Sequence, residues 1–362
     1  MVKVFERNIM QNKIKFKFDP RIKDGYFIAD YFKKTVEILK KFKPDQKVTM
    51  QFFQRKDNVV LCGINEVIDL LKFASPNFDD LEIYALNDGD IINSKEPVLK
   101  ITGKYQDFGW LEGMIDGILS RNTSIATNSK QIIDAANNKS VLNMLDRADN
   151  YLTLASDGYA SYIGGFRLFV TQASLEYIDD KTIPIPSGTM PHALIQAFNG
   201  DTLQAADAFY KTYPNNKLVV LIDYDNDCVN MATKIARHFK DKLYAVRLDT
   251  SENLVDKFFI KNKVYENQTD LNGVSEQLVR EVRKALDNAG CNHTKIIVSS
   301  GFSAKKIKEF ENNKVPVDIY GVGSALAKIN IHFTGDAVLI NNQKQAKFGR
   351  ENIENLRLKK IK

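Results

Sequence analysis

Leu218-Val219-Val220-Leu221-Ile222 is apolar at every position, and Asp223 follows it directly. A strand with one solvated face alternates polar and apolar residues. An unbroken short run belongs instead to a strand covered on both faces, as in a parallel sheet packed under helices. The pattern recurs downstream: Leu243 to Val246, Ile296 to Val298 and Val317 to Tyr320 are strand-like. Helical stretches separate them. One carries Val229, Ala232, Ile235 and Ala236, a shorter one runs from Leu254 to Phe259, and a third is capped by Ser275 and closed by Gly290. A fourth runs from Ala304 to Phe310. This alternation predicts parallel βα units, in either a doubly wound sheet or a barrel.

The first third has a different rhythm. Ile28 to Phe42 predicts an amphipathic helix through Phe32, Val36, Leu39 and Phe42, and Ile64 to Phe73 a second one. Val48 to Phe53, Leu81 to Tyr84 and Pro97 to Thr102 read as strands, the last after a turn at Asp88-Gly89-Asp90. An α+β unit is expected there, with a helix from Phe108 to Leu119 opening the second unit. A chain of 362 residues with 44% hydrophobic content is long for one core, which agrees with two units.

Composition excludes several classes. No apolar run is long enough to span a membrane, and the amino terminus lacks the pattern of a signal peptide. Cys62, Cys228 and Cys291 lie far apart, which argues against a zinc knuckle or disulfide framework and predicts a cytoplasmic protein. The net charge of +6 is spread among acids and helix faces, not gathered in a stripe. It predicts an anionic small substrate and no nucleic acid.

Chemistry gathers at the strand ends. Asp223 follows the first strand, Arg247 and Asp249 the second, Ser299-Ser300-Gly301 the third, and Gly321-Val322-Gly323 the fourth. Turns favour Asp, Ser and Gly in any case. Arginine has no turn-forming role, so Arg247 points to function, and in a barrel the carboxyl rim is where catalysis sits. The two glycine-bearing loops, each before a helix, suit phosphate binding through backbone N–H groups, although neither is a dinucleotide or P-loop motif. Ser187-Gly188-Thr189-Met190-Pro191-His192 is the most distinctive segment, with an imidazole at a helix start beside a hydroxyl.

Gly188-Thr189-Met190-Pro191-His192-Ala193-Leu194, Leu221-Ile222-Asp223, Val246-Arg247-Leu248-Asp249-Thr250-Ser251, Val298-Ser299-Ser300-Gly301 and Tyr320-Gly321-Val322-Gly323 resemble, in that order, the signature segments of nicotinate phosphoribosyltransferases. The resemblance runs from Ala29-Asp30-Tyr31-Phe32 to the carboxyl end. It implies a type II phosphoribosyltransferase fold. An amino-terminal α+β domain, residues 1–107 with a returning tail at about 331–362, would join an irregular α/β barrel at 108–330. It also implies a homodimer that forms nicotinate mononucleotide and pyrophosphate from nicotinate and phosphoribosyl pyrophosphate, coupled to ATP hydrolysis, in NAD biosynthesis.

Carried over residue by residue, the resemblance makes His192 the histidine phosphorylated from ATP. Tyr31, Thr171, Thr189 and Arg247 become nicotinate-pocket positions, and Arg147 lies near the phosphoribosyl site. Asp223 and Asp249 match acids near the ribose and pyrophosphate, with Asp249 a candidate Mg²⁺ ligand and Ser251 close by. Ser300, Gly301, Gly321 and Gly323 match the 5′-phosphate loops. Two departures stand out: Met144-Leu145-Asp146-Arg147 lacks an aromatic and a second arginine that many relatives have, and Ser299-Ser300 replaces two glycines. The alternatives are a sister enzyme acting on nicotinamide or quinolinate, or an inactive barrel serving as a binding module. Met190 after Gly188-Thr189 disfavours nicotinamide, because enzymes of that specificity place an acid there.

Overall fold

The computed structural model of the protein describes residues 14–362 apart from 187, 189 and 267. Its backbone divides into two units, one of residues 1–127 with 329–362 and one of residues 128–328.

The first unit is built on a six-stranded antiparallel sheet. Its strands are β1 (Lys47–Phe53), β3 (Glu82–Ala85), β5 (Leu99–Lys104), β12 (Thr334–Ile340), β13 (Gln343–Lys344) and β14 (Lys359–Lys360), in the order β13-β12-β1-β5-β3-β14. A small pair, β2 (Val59–Val60) with β4 (Ile91–Ile92), stands apart. Among the described residues, the α-helices of this unit are α1 (Asp30–Phe42), α2 (Ile64–Ala74), the short α3 (Tyr105–Phe108) and α4 (Glu112–Ala135) as far as Thr127. Met50, Phe52, Ile83, Leu99, Ile101 and Phe108 are among its core.

The second unit holds a six-stranded parallel sheet, parallel as the apolar runs predicted. Four of its strands match those runs closely: β8 (Leu218–Leu221), β9 (Leu243–Leu248), β10 (Lys295–Val298) and β11 (Ile319–Val322). Two short ones, β6 (Ser140–Asn143) and β7 (Leu168–Phe169), complete it, in the order β7-β6-β11-β10-β9-β8. Of the two architectures left open, the sheet is a curled half-barrel with β7 and β8 as its edges. Its helices are α5 (Leu154–Ile163), α6 (His192–Ala197), α7 (Thr202–Thr212), α8 (Cys228–Phe239), α9 (Lys257–Lys261), α10 (Glu276–Asn288) and α11 (Ala304–Asn312).

Local chemistry explains the boundaries. Ser275 and Ser303 accept hydrogen bonds from Leu278 and Lys306 at the starts of α10 and α11. The helix expected from Leu254 begins at Lys257, because Asp256 caps it through Phe258 N–H. The expected loop Gly321-Val322-Gly323 is shorter than the sequence implied, since β11 runs through Val322.

Candidate active site

Strand pairing puts the chemistry on one face. Arg247 lies in register with Ile297 and Leu221, and Ile297 with Ile319. Side chains alternate along a strand, so Arg247, Asp249, Ser299, Asp223 and Gly321 share a face. The opposite face is apolar: Val246, Leu248, Ile296, Val298, Tyr320 and Val322 are buried in the core of this unit. The carboxyl end of the sheet therefore carries polar groups held by an apolar body.

The groups are bonded to one another. Arg247 Nε donates to Ser299 Oγ at 2.9 Å, and Arg247 Nη2 to Asp249 Oδ2 at 2.9 Å. Ser299 Oγ donates to Asp249 Oδ1 at 2.7 Å. Arg247 and Asp249 side chains keep only 16% and 13% of their surface, so this is a largely desolvated pair and its geometry is fixed. Next to it, His192 Nε2 lies 3.2 and 3.1 Å from the two carboxylate oxygens of Asp223. His192 opens α6 after Pro191 and stays about half exposed, while the Asp223 side chain is 6% exposed. Burial pushes the Asp223 carboxyl above its usual range; the His192 imidazole opposes this and the Asp249 carboxylate adds to it. His238 makes a similar pair with Asp207 on the helical surface, so a His–Asp contact alone does not mark a site. The buried carboxylate and its acidic neighbour distinguish His192.

The glycine loops differ from each other. Ser300 and Gly301 both have left-handed backbones, with φ of 74° and 71°, and the position of a Cβ on Gly301 is open to within 4.0 Å of Glu252. Gly321 and Gly323 are instead crowded by Met144. A Cβ at Gly321 would meet the Met144 side chain at 2.7 Å, and one at Gly323 the Met144 carbonyl oxygen at 2.6 Å. At Gly323 the clash is with backbone just after β6, so packing already demands glycine there; at Gly321 it is with the flexible end of a side chain that can move aside.

The remaining expected residues are placed less centrally. Thr171 shares a hydrogen bond with Ser174 and accepts from its N–H in the turn after β7. Arg147 and Ser251 are exposed. Among the described residues none of these three bonds to Asp223 or Asp249. Tyr31 belongs to the other unit, exposed at the start of α1. Thr189 lies outside the described residues. Sequence reasoning missed two groups. Ser299 joins Arg247 to Asp249, which its place two residues after Ile297 could have signalled. Lys306, in the first turn of α11, lies over the rings of Phe302 and Phe310 at 4.5 and 5.7 Å, and burial lowers its ammonium below the ordinary lysine range.

Comparisons with known proteins agree with this architecture. A structure of nicotinate-nucleotide pyrophosphorylase from Pyrococcus furiosus superposes with a TM-score of 0.76 at 29% identity, over 97% of this chain and 82% of that one. The chain has a type II phosphoribosyltransferase fold. Human nicotinic acid phosphoribosyltransferase shares this fold with a TM-score of 0.66 at 14% identity, covering 90% of this chain and 77% of that one. The family model described as quinolinate phosphoribosyl transferase, N-terminal domain, matches residues 30–123. Among curated proteins, nicotinate phosphoribosyltransferase of Bacillus subtilis (strain 168) is 25% identical over 310 residues, covering 84% of this chain and 56% of the relative. The pncB2 enzyme of Mycobacterium tuberculosis is 23% identical over 311 residues, covering 83% and 58%. The chain spans little more than half the length of these curated relatives. Among the described residues no helix of this phosphoribosyltransferase fold is long and apolar enough to cross a membrane.

Proposed function

We propose that the chain is a nicotinate phosphoribosyltransferase of NAD biosynthesis, joining nicotinate to the ribose of phosphoribosyl pyrophosphate with release of pyrophosphate. The observation that carries this reading is the Arg247–Asp249–Ser299 network beside His192–Asp223 at the carboxyl end of a parallel sheet. The curated relatives named for nicotinate support the choice of substrate. The reaction needs little covalent help from the protein. The pyridine nitrogen attacks the anomeric carbon as the bond to pyrophosphate breaks, so positive charge grows on the sugar and negative charge on the leaving group. Positioning and electrostatics supply the catalysis.

In this reading Arg247 faces the nicotinate carboxylate, with Tyr31, Thr171 and Thr189 as further pocket positions. Asp249 and Asp223 hold the ribose hydroxyls and stabilise the charge on the sugar. Ser300, Gly301, Gly321 and Gly323 surround the 5′-phosphate, with Lys306 as a nearby cation and Arg147 and Ser251 toward the pyrophosphate. Among the described residues no group of three His, Cys, Asp or Glu side chains is placed to cage a metal. Magnesium usually takes one or two carboxylates and completes its shell with substrate oxygens and water, a demand that Asp249 and Asp223 fit. There it would neutralise the departing pyrophosphate. His192 is the site of phosphorylation by ATP. Its new charge would order the cations that grip pyrophosphate, and so couple ATP hydrolysis to transfer. The exposed stripe of Tyr31, Ile38 and Phe42 on α1 is the surface for a second copy, and the reading places the protein in the cytoplasm.

A sister reading has its own support. The family model is that of a quinolinate enzyme, and the Pyrococcus furiosus match covers nearly the whole chain. Purified protein should be supplied with phosphoribosyl pyrophosphate and nicotinate, quinolinate or nicotinamide, with and without ATP. Nicotinate mononucleotide from nicotinate, stimulated by ATP, is the expected result. Turnover of quinolinate with loss of carbon dioxide would replace the reading with its sister, and no turnover of any pyridine would leave a binding module.

A further inference from the structure

The opposite end of the parallel sheet carries a second cluster. Lys217 precedes β8, Lys242 precedes β9, and Lys295 is the first residue of β10. These strands are neighbours in the order β10-β9-β8, so three adjacent strands begin with a cation at the same rim. A hollow of about 330 Å³ opens there, lined by Lys217, Lys242, His293, Tyr210 and Tyr244, with Asp241 as its one acidic side chain. The ammonium groups of Lys217 and Lys295 lie 4.6 and 5.5 Å from the centre of the Tyr244 ring, and that of Lys242 lies 5.1 Å from the Tyr210 ring.

We infer that this amino-terminal rim is an anion-binding site for a small molecule carrying two or more phosphate groups. Surface lysines ordinarily spread apart or pair with acids. Here strands on either side of β9 bring two ammonium groups to one tyrosine ring. Among the described residues none of the three lysines has a carboxylate within ion-pair distance. Packing on aromatic faces restrains the lysine stems, so less freedom is lost when an anion binds. Like charges held around a hollow raise the local concentration of polyanions. The volume is at the small end of ligand pockets, which suits a compact phosphate ester or polyphosphate and not a protein or nucleic acid surface. The inference does not rest on the catalytic reading, because none of these groups belongs to the Arg247 or His192 network.

The chain has four histidines, so imidazole resonances distinguish the two ends of the sheet: His293 reports this hollow and His192 the candidate active site. Full-length protein carrying ¹³C-labelled histidine should be titrated with inorganic tripolyphosphate at constant ionic strength, with orthophosphate and chloride as controls. A saturable His293 shift with tripolyphosphate, at least about tenfold tighter than with orthophosphate, is expected. Lys217→Glu with Lys242→Glu should weaken it about tenfold or more while the His192 response stays unchanged. Lys217→Gln with Lys242→Gln serves if the charge reversal lowers the melting temperature. An unmoved His293, a shift that chloride reproduces, or a shift that survives both double variants overturns the site.

Discussion

Arg247 is bonded to Ser299 and Asp249 before any substrate arrives, and this decides what its removal does. Arg247→Ala deletes the proposed partner of the nicotinate carboxylate and also leaves Asp249 without its cation. Loss of a partner from a desolvated pair is worth roughly 2–4 kcal/mol, so the apparent nicotinate affinity should fall by about 30-fold to several hundredfold. Arg247→Lys should rescue only part, because an ammonium cannot reproduce the planar fork. An unchanged nicotinate KM in the alanine variant would end this assignment. His192→Ala should keep slow transfer without ATP and lose ATP hydrolysis; γ-labelled ATP should leave an acid-labile phosphate on the wild type only. Undiminished labelling of the variant would mean that another residue is modified. Arg247, Asp223 and His192 could be picked from the sequence because each is chemically out of place beside an apolar run or a small-residue loop. Ser299 was harder to single out, since a serine in a turn looks the same whether or not it bridges two charged groups; its spacing of two residues from Ile297 is the one signal it offers.

Glycines at element ends carry a second kind of information. Gly323→Ala forces a methyl group against the Met144 carbonyl oxygen, a backbone atom just beyond the end of β6. A cost of about 1–3 kcal/mol in unfolding free energy is expected. Gly301→Ala meets no atom closer than 4.0 Å, but its φ of 71° disfavours a side chain by about 1 kcal/mol. Denaturant melts of the two variants should rank them in that order, and the reverse order would refute the steric account. The Gly301 variant is thus the cleaner probe of phosphate binding, and its phosphoribosyl pyrophosphate KM should rise. Elements with five or so apolar residues or a marked cap, such as β8 and α10, were legible in the sequence. β6 and β7 were not: each has only two apolar residues, in Ser140-Val141-Leu142-Asn143 and Leu168-Phe169, too few to show a pattern. Nor could a linear pattern reveal that β6 inserts beside β11, the pairing that brings the Met144 backbone against Gly323.

At the scale of the molecule, stability should depend on pH through acids that the fold buries. In the first unit, burial pushes the Glu112 carboxyl up to about 7, with Asp116 and Asp336 adding to the shift. Burial likewise pushes Asp116 up to about 6, opposed by the Gly335 N–H and helped by Asp336. A raised carboxyl keeps its proton in the fold after the unfolded chain has released it. Its contribution is therefore intact at low pH and is lost as pH rises through about 6 and 7. Both groups are partly solvated, which reduces the effect to roughly 1–2 kcal/mol. The melting temperature of the wild type relative to Glu112→Gln should fall between pH 5 and pH 8; parallel profiles would contradict it. The change of rhythm along the chain suggested a second unit from residue 108, whereas the backbone divides after Thr127; the strand order of the first unit had no linear signal. That order has a consequence for synthesis. β1 lies between β5 and β12, and β12 belongs to the segment that returns after the whole second unit. At ribosomal speeds of about 5–20 residues per second, roughly 12–46 s separate the emergence of β5 from that of β12. For that interval the nascent chain presents β1 as an open, hydrophobic edge, and its escape from aggregation is a race against translation.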